Sequence, residues 1–160
     1  MAVIAFNEEL NSWAPGSHTG TFRGNQIAFA TGLASLQYMR EEKLWETVAA
    51  KGEAMLSRLN TLAIDHKQIG DVRGRGLMLG VEFVQPGNHD ARGVPKPDGM
   101  LAATVQVECF KRKLILERGG RDGAVMRFLP PLTTSEKDLQ AMFAIFSDAV
   151  AATCKGTSKN

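Results

Sequence analysis

The sequence predicts an α+β fold on three observations. Two helical patterns, from about Asn25 to Met39 and from about Glu41 to Ala63, come first in the body of the chain. Two pairs of short strand-like segments follow, each joined by a glycine-containing bend, with a further helical stripe between the pairs. A well-marked helix closes the sequence, and this order of elements suits an α+β arrangement. With 160 residues and 44% apolar content, the chain can bury a core. One compact domain is the default for that length, and two linked pieces of a larger fold are the alternative.

Each element has a local reason. "AVIAF" reads as a short strand, and "NSWAPGSHTG" is turn chemistry built on Pro15, Gly16 and Gly20. Asn25 or Gly24 caps the first helix, whose Ile27, Ala28, Phe29, Ala30, Leu33, Ala34 and Leu36 are apolar on nearly every side. That predicts burial on all faces, against a partner outside the chain if none lies within it. In the second helix Leu44, Val48, Gly52, Met55, Leu59 and Leu62 recur every three or four residues, so one face packs and the other is wet.

"IGDVRGRG" and "LMLGVEFV" read as a strand, a bend eased by Gly74 and Gly76, and a second strand with Leu77, Leu79, Val81 and Phe83 on one face. "QPGNHDARGVPKPDG" has the composition of a variable surface loop. Met100, Ala103, Thr104, Val107, Phe110 and Leu114 mark the next helical stripe. "LILERGG" and "AVMRFLPP" then form two strands around a Gly-Gly-Arg-Asp-Gly turn. Ser135 with Asp138 makes a capping box for a helix carrying Leu139, Met142, Phe143, Phe146 and Val150, and "KGTSKN" is a frayed tail. A domain division is expected where the all-apolar helix gives way to the amphipathic one, between Tyr38 and Lys51.

Charge and cysteine content narrow the function classes. The net charge is +2, and the one basic cluster, Lys111 to Lys113, reads as the wet end of a helix, so no nucleic-acid footprint is expected. Cys109 and Cys154 form neither a metal-ligand spacing nor a disulfide framework. Reduced thiols, no membrane-spanning run and no signal peptide give a cytoplasmic expectation. His18, His66 and His89 are isolated from one another, and no metal is assigned to them.

Two residues stand out for chemistry. "RGRGLMLG" is one residue too long for the dinucleotide fingerprint and opens a strand, and "GSHTGT" lacks the P-loop lysine. Thr21 nonetheless precedes a helix start with unpaired donors, which makes either an anion cradle or an ordinary capped turn. His18 borders this loop, as a pocket-lining or a solvated residue. Arg127, near a strand end stopped by Pro130 and Pro131, either offers its planar fork to a carboxylate or serves as a surface ion-pair residue.

Together, "PGSHTGTFRGNQIAFATG", "IGDVRGRGLMLGVEF" and "VMRFLPPLTTSEKDL" resemble the C-terminal part of class III, pyridoxal-phosphate-dependent aminotransferases. The wording around "WAPGSHTGTFRGNQ" is most similar to L-2,4-diaminobutyrate:2-oxoglutarate aminotransferases, and the resemblance runs from about Val3 to Val150. It implies the C-terminal portion of a fold-type I transferase: the end of the large cofactor domain and linker helix over residues 1–45, a small domain with a mainly antiparallel sheet over 46–152, and a disordered tail over 153–160. It implies pyridoxal 5'-phosphate as cofactor, amino-acid and oxo-acid substrates, and a homodimer.

By the same resemblance, Thr21, with Gly20 beside it, contacts the cofactor phosphate across the dimer interface, and Arg127 binds the substrate α-carboxylate. The family's Schiff-base lysine, its pyridine-pairing aspartate and its glycine-rich phosphate loop lie upstream of the Thr21 motif, and no lysine here matches that motif. The expectation is therefore a truncated piece of an aminotransferase that is inactive alone, with a non-catalytic interaction module as the alternative.

Overall fold

The computed structural model describes residues 4–154, which fall into two compact units divided between Lys43 and Leu44. In the first unit, residues 4–6 are irregular rather than a strand, and a short 3₁₀ turn at Glu8–Leu10 follows. Residues 2 and 3 of the expected strand lie outside the described residues. Among the described residues no strand pairs with residues 4–6, so a strand there would leave its backbone unsatisfied.

Helix α1 (Gln26–Glu41) starts where the sequence places it. The Asn25 side chain accepts a hydrogen bond from the Ala28 amide at 2.9 Å, so Asn25 and not Gly24 is the cap. The expected burial on all faces is not found within the chain. None of the described residues of this unit is buried, and Ile27 is 76% exposed.

The second unit holds the core. Helix α2 (Leu44–Asp65) buries Gly52, Met55, Leu59 and Leu62, the stripe read from its periodicity. Strands β1 (Ile69–Arg75), β2 (Met78–His89), β4 (Glu117–Gly119) and β5 (Val125–Phe128) form a sheet in the order β1-β2-β5-β4, and β3 (Pro95–Pro97) also pairs with β2. Every pairing is antiparallel. Leu79, Val81, Phe83, Met126 and Phe128 pack with Met55 and Leu59 of α2 and with residues from both remaining helices. Phe128 meets Phe146 edge to face, ring centroids 5.0 Å apart.

Close approach explains one glycine. A Cβ at Gly52 would lie 2.3 Å from the Gly76 carbonyl oxygen, so α2 sits against the β1–β2 turn only because Gly52 has no side chain.

Three expectations in this unit need correction. The segment expected to be a loop is mostly paired: β2 continues through Pro86 and Gly87 to His89, and the chain returns as β3. Asp90 closes the turn by accepting hydrogen bonds from the Arg92 and Val94 amides at 2.8 and 3.0 Å. Helix α3 (Gly99–Lys111) packs through Ala102, Val105 and Cys109, whereas Met100, Val107 and Phe110 of the expected stripe are exposed. The strand expected from Leu114 begins only at Glu117.

Helix α4 (Glu136–Cys154) bears out its capping box. The Ser135 hydroxyl accepts from the Asp138 amide at 3.1 Å and donates to the Asp138 carboxylate at 2.6 Å. Thr153 and Cys154 belong to this helix, and residues 155–160 of the expected tail lie outside the described residues.

Candidate functional site

The residues singled out from sequence fall into two constellations, one described in each unit. In the first, Gly20, Thr21, Phe22, Arg23 and Asn25 line a concavity with Ala28 and Phe29 at the start of α1. The backbone turns here by an Arg23 amide to Gly20 carbonyl hydrogen bond of 3.2 Å and by left-handed Gly24, φ 74°. The Arg23 guanidinium donates to the His18 carbonyl, and the His18 ring stacks obliquely on Trp13.

The Thr21 hydroxyl makes no hydrogen bond to the described residues, so the turn is not held by its side chain. With Asn25 occupying the Ala28 amide, the first amides of α1 at Gln26 and Ile27 remain without intrahelical partners. A free hydroxyl beside a helix N-terminus suits the phosphate end of a cofactor such as pyridoxal phosphate. No lysine occurs before Lys43, so nothing in this turn can hold the cofactor covalently.

The second constellation lies on the sheet face opposite the core. Because directly paired residues share a face, the Gly80↔Arg127 and Glu117↔Arg127 pairs put Arg127 between a glycine on β2 and a carboxylate on β4. Arg127 Nη2 lies 2.9 Å from Glu117 Oε2, with the Arg127 side chain half-exposed and that of Glu117 mostly exposed. Its guanidinium runs over Gly119, where a Cβ would come within 2.8 Å of Nη1. Arg127 is thus a half-exposed fork on a rigid strand, already holding a carboxylate.

Beside it sits a group that sequence reading missed. Glu82, the only buried charged residue among those described, accepts from Arg121 Nη2 at 2.7 Å and Arg73 Nη1 at 2.9 Å. Burial works against its charge, yet the bonds from the two guanidiniums prevail and hold the carboxyl below its ordinary range. Arg73 also pairs with Asp71. Alternation along β2 could have placed Glu82 opposite the core face, but its partners come from β1 and from the β4–β5 turn, which only the register brings together.

The cysteines take no part in either constellation. Burial pushes the Cys109 thiol up to about 11 and raises that of Cys154, so both are poor nucleophiles. Among the described residues no three His, Cys, Asp or Glu side chains, His18, His66 and His89 included, are grouped to hold a metal ion. Among the same residues no helix is long and apolar enough to cross a membrane.

Residues 1–150 match the family described as aminotransferase class-III, and the chain belongs to that family. Within it, the chain is 44% identical to a diaminobutyrate--2-oxoglutarate aminotransferase of Haemophilus influenzae over 94% of its own length and 33% of the relative's. It is 45% identical to the enzyme of the same name from Rhizobium meliloti over 87% of the chain and 30% of the relative. The chain therefore spans about a third of the length of the curated relatives it matches. Its fold superposes on the omega transaminase of Pseudomonas jessenii in complex with PMP with a TM-score of 0.74 at 28% identity, covering 89% of this chain and 30% of that one. The α+β architecture with its antiparallel sheet matches the C-terminal part of fold-type I transaminases, as the resemblance implied.

Proposed function

We propose that this chain supplies part of the active site of a pyridoxal-phosphate-dependent aminotransferase that moves an amino group from L-2,4-diaminobutyrate, or a related diamino or ω-amino acid, to 2-oxoglutarate. The observation that carries the proposal is the half-exposed guanidinium fork of Arg127 on strand β5, in a chain whose relatives bear that activity in their names. Pyridoxal 5'-phosphate, when bound, supplies the electron-accepting ring through which an amino group passes between an amino acid and an oxo acid.

The residues of this chain bind and orient. Arg127 holds the α-carboxylate of donor and acceptor in two parallel hydrogen bonds, which fixes the α-carbon for proton transfer. The Thr21 hydroxyl, the backbone at Gly20 and the first amides of α1 hold the cofactor phosphate, and in a homodimer they serve the partner's site. No lysine lies in either constellation, so the chain alone binds these groups without transaminating.

Mixing the chain with a separately made portion of the Haemophilus influenzae relative that it does not match, then following glutamate formed from diaminobutyrate and 2-oxoglutarate, tests this reading. Glutamate formed only in the mixture supports it. A second reading, a non-catalytic interaction module, draws on the exposed apolar side chains of α1. A well-folded mixture that associates but forms no glutamate favours that reading.

A further inference from the structure

Glu82 bears on the proposed role of Arg127, and the inference drawn from it rests on that role. We propose that Glu82 is a positioning residue for the carboxylate-binding fork: through Arg121 it holds the β4–β5 turn, and with it Gly119, in place beneath the Arg127 guanidinium. The local structure calls for such a tether. β4 is an edge strand of only three residues. The turn after it passes through left-handed conformations at Gly120, Asp122 and Gly123, with φ of 72°, 51° and 67°. Asp122 lacks the freedom of a glycine there, so contacts from outside the turn must keep it in that conformation.

Two arginines supply those contacts, one on each side of the sheet. Arg118, paired with fully buried Met126, works on the core side. Its Nη1 donates to the Gly123 and Gly99 carbonyls at 2.9 and 3.2 Å, and its Nε to the Gln106 side chain at 3.1 Å, which ties the turn to α3. Arg121 works on the open face. Its Nε and Nη2 donate to Glu82 Oε1 at 3.1 and 2.7 Å, and Nη2 reaches the Pro95 carbonyl of β3 at 3.4 Å. Glu82 stands two residues along β2 from Gly80, the residue paired with Arg127, so the tether is anchored on the same face as the fork. The other oxygen of Glu82 accepts from Arg73 of β1 at 2.9 Å, a bond that does not involve the turn. Because the Glu82 side chain is only 8% exposed, water cannot readily replace its guanidinium partners, and the anchor is firm. Releasing Arg121 frees the turn and lets Gly119 shift under the guanidinium, so the fork loses its fixed direction.

The experiment titrates the 160-residue chain with 2-oxoglutarate at constant ionic strength, reading binding at the Gly119 amide by NMR. Arg121→Gln is expected to weaken binding about three- to ten-fold, the loss of one of the two hydrogen bonds of the fork. Arg73→Gln removes the other partner of Glu82 and is expected to leave the affinity unchanged, although both substitutions lower the thermal midpoint. A merely structural role would not separate the two. Glu82→Gln combined with Arg121→Gln removes both members of the buried pair and so spares the fold. It is expected to weaken binding by the same factor as Arg121→Gln alone, because the two residues act through one path. Arg127→Gln is expected to abolish the response. Unchanged affinity in Arg121→Gln and in the double variant, or equal weakening by Arg73→Gln, with the response still lost in Arg127→Gln, overturns the positioning role and leaves the carboxylate role of Arg127 standing. A response that persists in Arg127→Gln, or that is absent from the unsubstituted chain, overturns both.

Discussion

The two units of this chain use apolar residues in opposite ways. In residues 44–154 the stripes of α2 and α4 close on one sheet face and bury Phe83, Phe128 and Phe146 completely. In residues 4–43 an equally apolar helix buries none of its side chains within the chain. The lesson is that apolar content alone does not make a core. A core needs facing surfaces, and the stability of the described chain therefore resides in the second unit.

That contrast can be broken by experiment, with the largest effect expected at the centre of the core. Phe146→Ala removes the ring that Phe128 meets edge to face and should cost about 3–5 kcal/mol in urea unfolding. Phe29→Ala in α1 should leave the same transition unmoved. Equal losses at the two positions would mean that α1 is covered in solution.

Glu82→Gln tests the sheet face and should cost about 1–3 kcal/mol at neutral pH, because it removes the charge that two guanidiniums bind. The pH dependence has a definite sign. A carboxyl whose folded pKa is depressed stabilises fully above its unfolded value, about 4.3 for glutamate, and loses that contribution as pH falls through the folded value. The gap between the unsubstituted chain and Glu82→Gln should therefore close as pH drops below about 4. A gap that widens there would contradict the assignment.

Smaller effects sharpen the comparison at the helix caps. Ser135→Ala deletes both bonds of the α4 capping box and should cost about 1 kcal/mol in the global transition. Asn25→Ala removes the equivalent cap of α1, which the core does not depend on. Its effect belongs to the first unit alone, where Trp13 reports once Trp45 is replaced by Phe. A shift of the global midpoint by Asn25→Ala as large as that by Ser135→Ala would show the two units to unfold together.

What was legible in the sequence follows the same division. Periodicity located α2, α4 and the buried face of β2, because in each the apolar residues lie on one side and polar residues on the other. It misplaced the packed face of α3, which is apolar on two sides: the core took the small Ala102 and Cys109 with Val105 and left Phe110 outside. The 85–97 hairpin was hidden by Pro, Gly, Asn and Asp, residues that read as loop but here form a strand end and an Asp90-closed turn. Of the candidate site, Thr21 and Arg127 were visible from local pattern and from the family resemblance. Glu117, Gly119 and Glu82 were not, since their significance depends on which residues the register of β2, β4 and β5 sets side by side.

The central claim is that this chain offers contacts for a phosphate and a carboxylate but no lysine placed to hold the cofactor. It is tested most directly by incubating the purified chain with pyridoxal phosphate, reducing with borohydride and mapping pyridoxyl-lysine by peptide mass. The account predicts no adduct, or low labelling spread over several lysines. One stoichiometric adduct on a single lysine would contradict it.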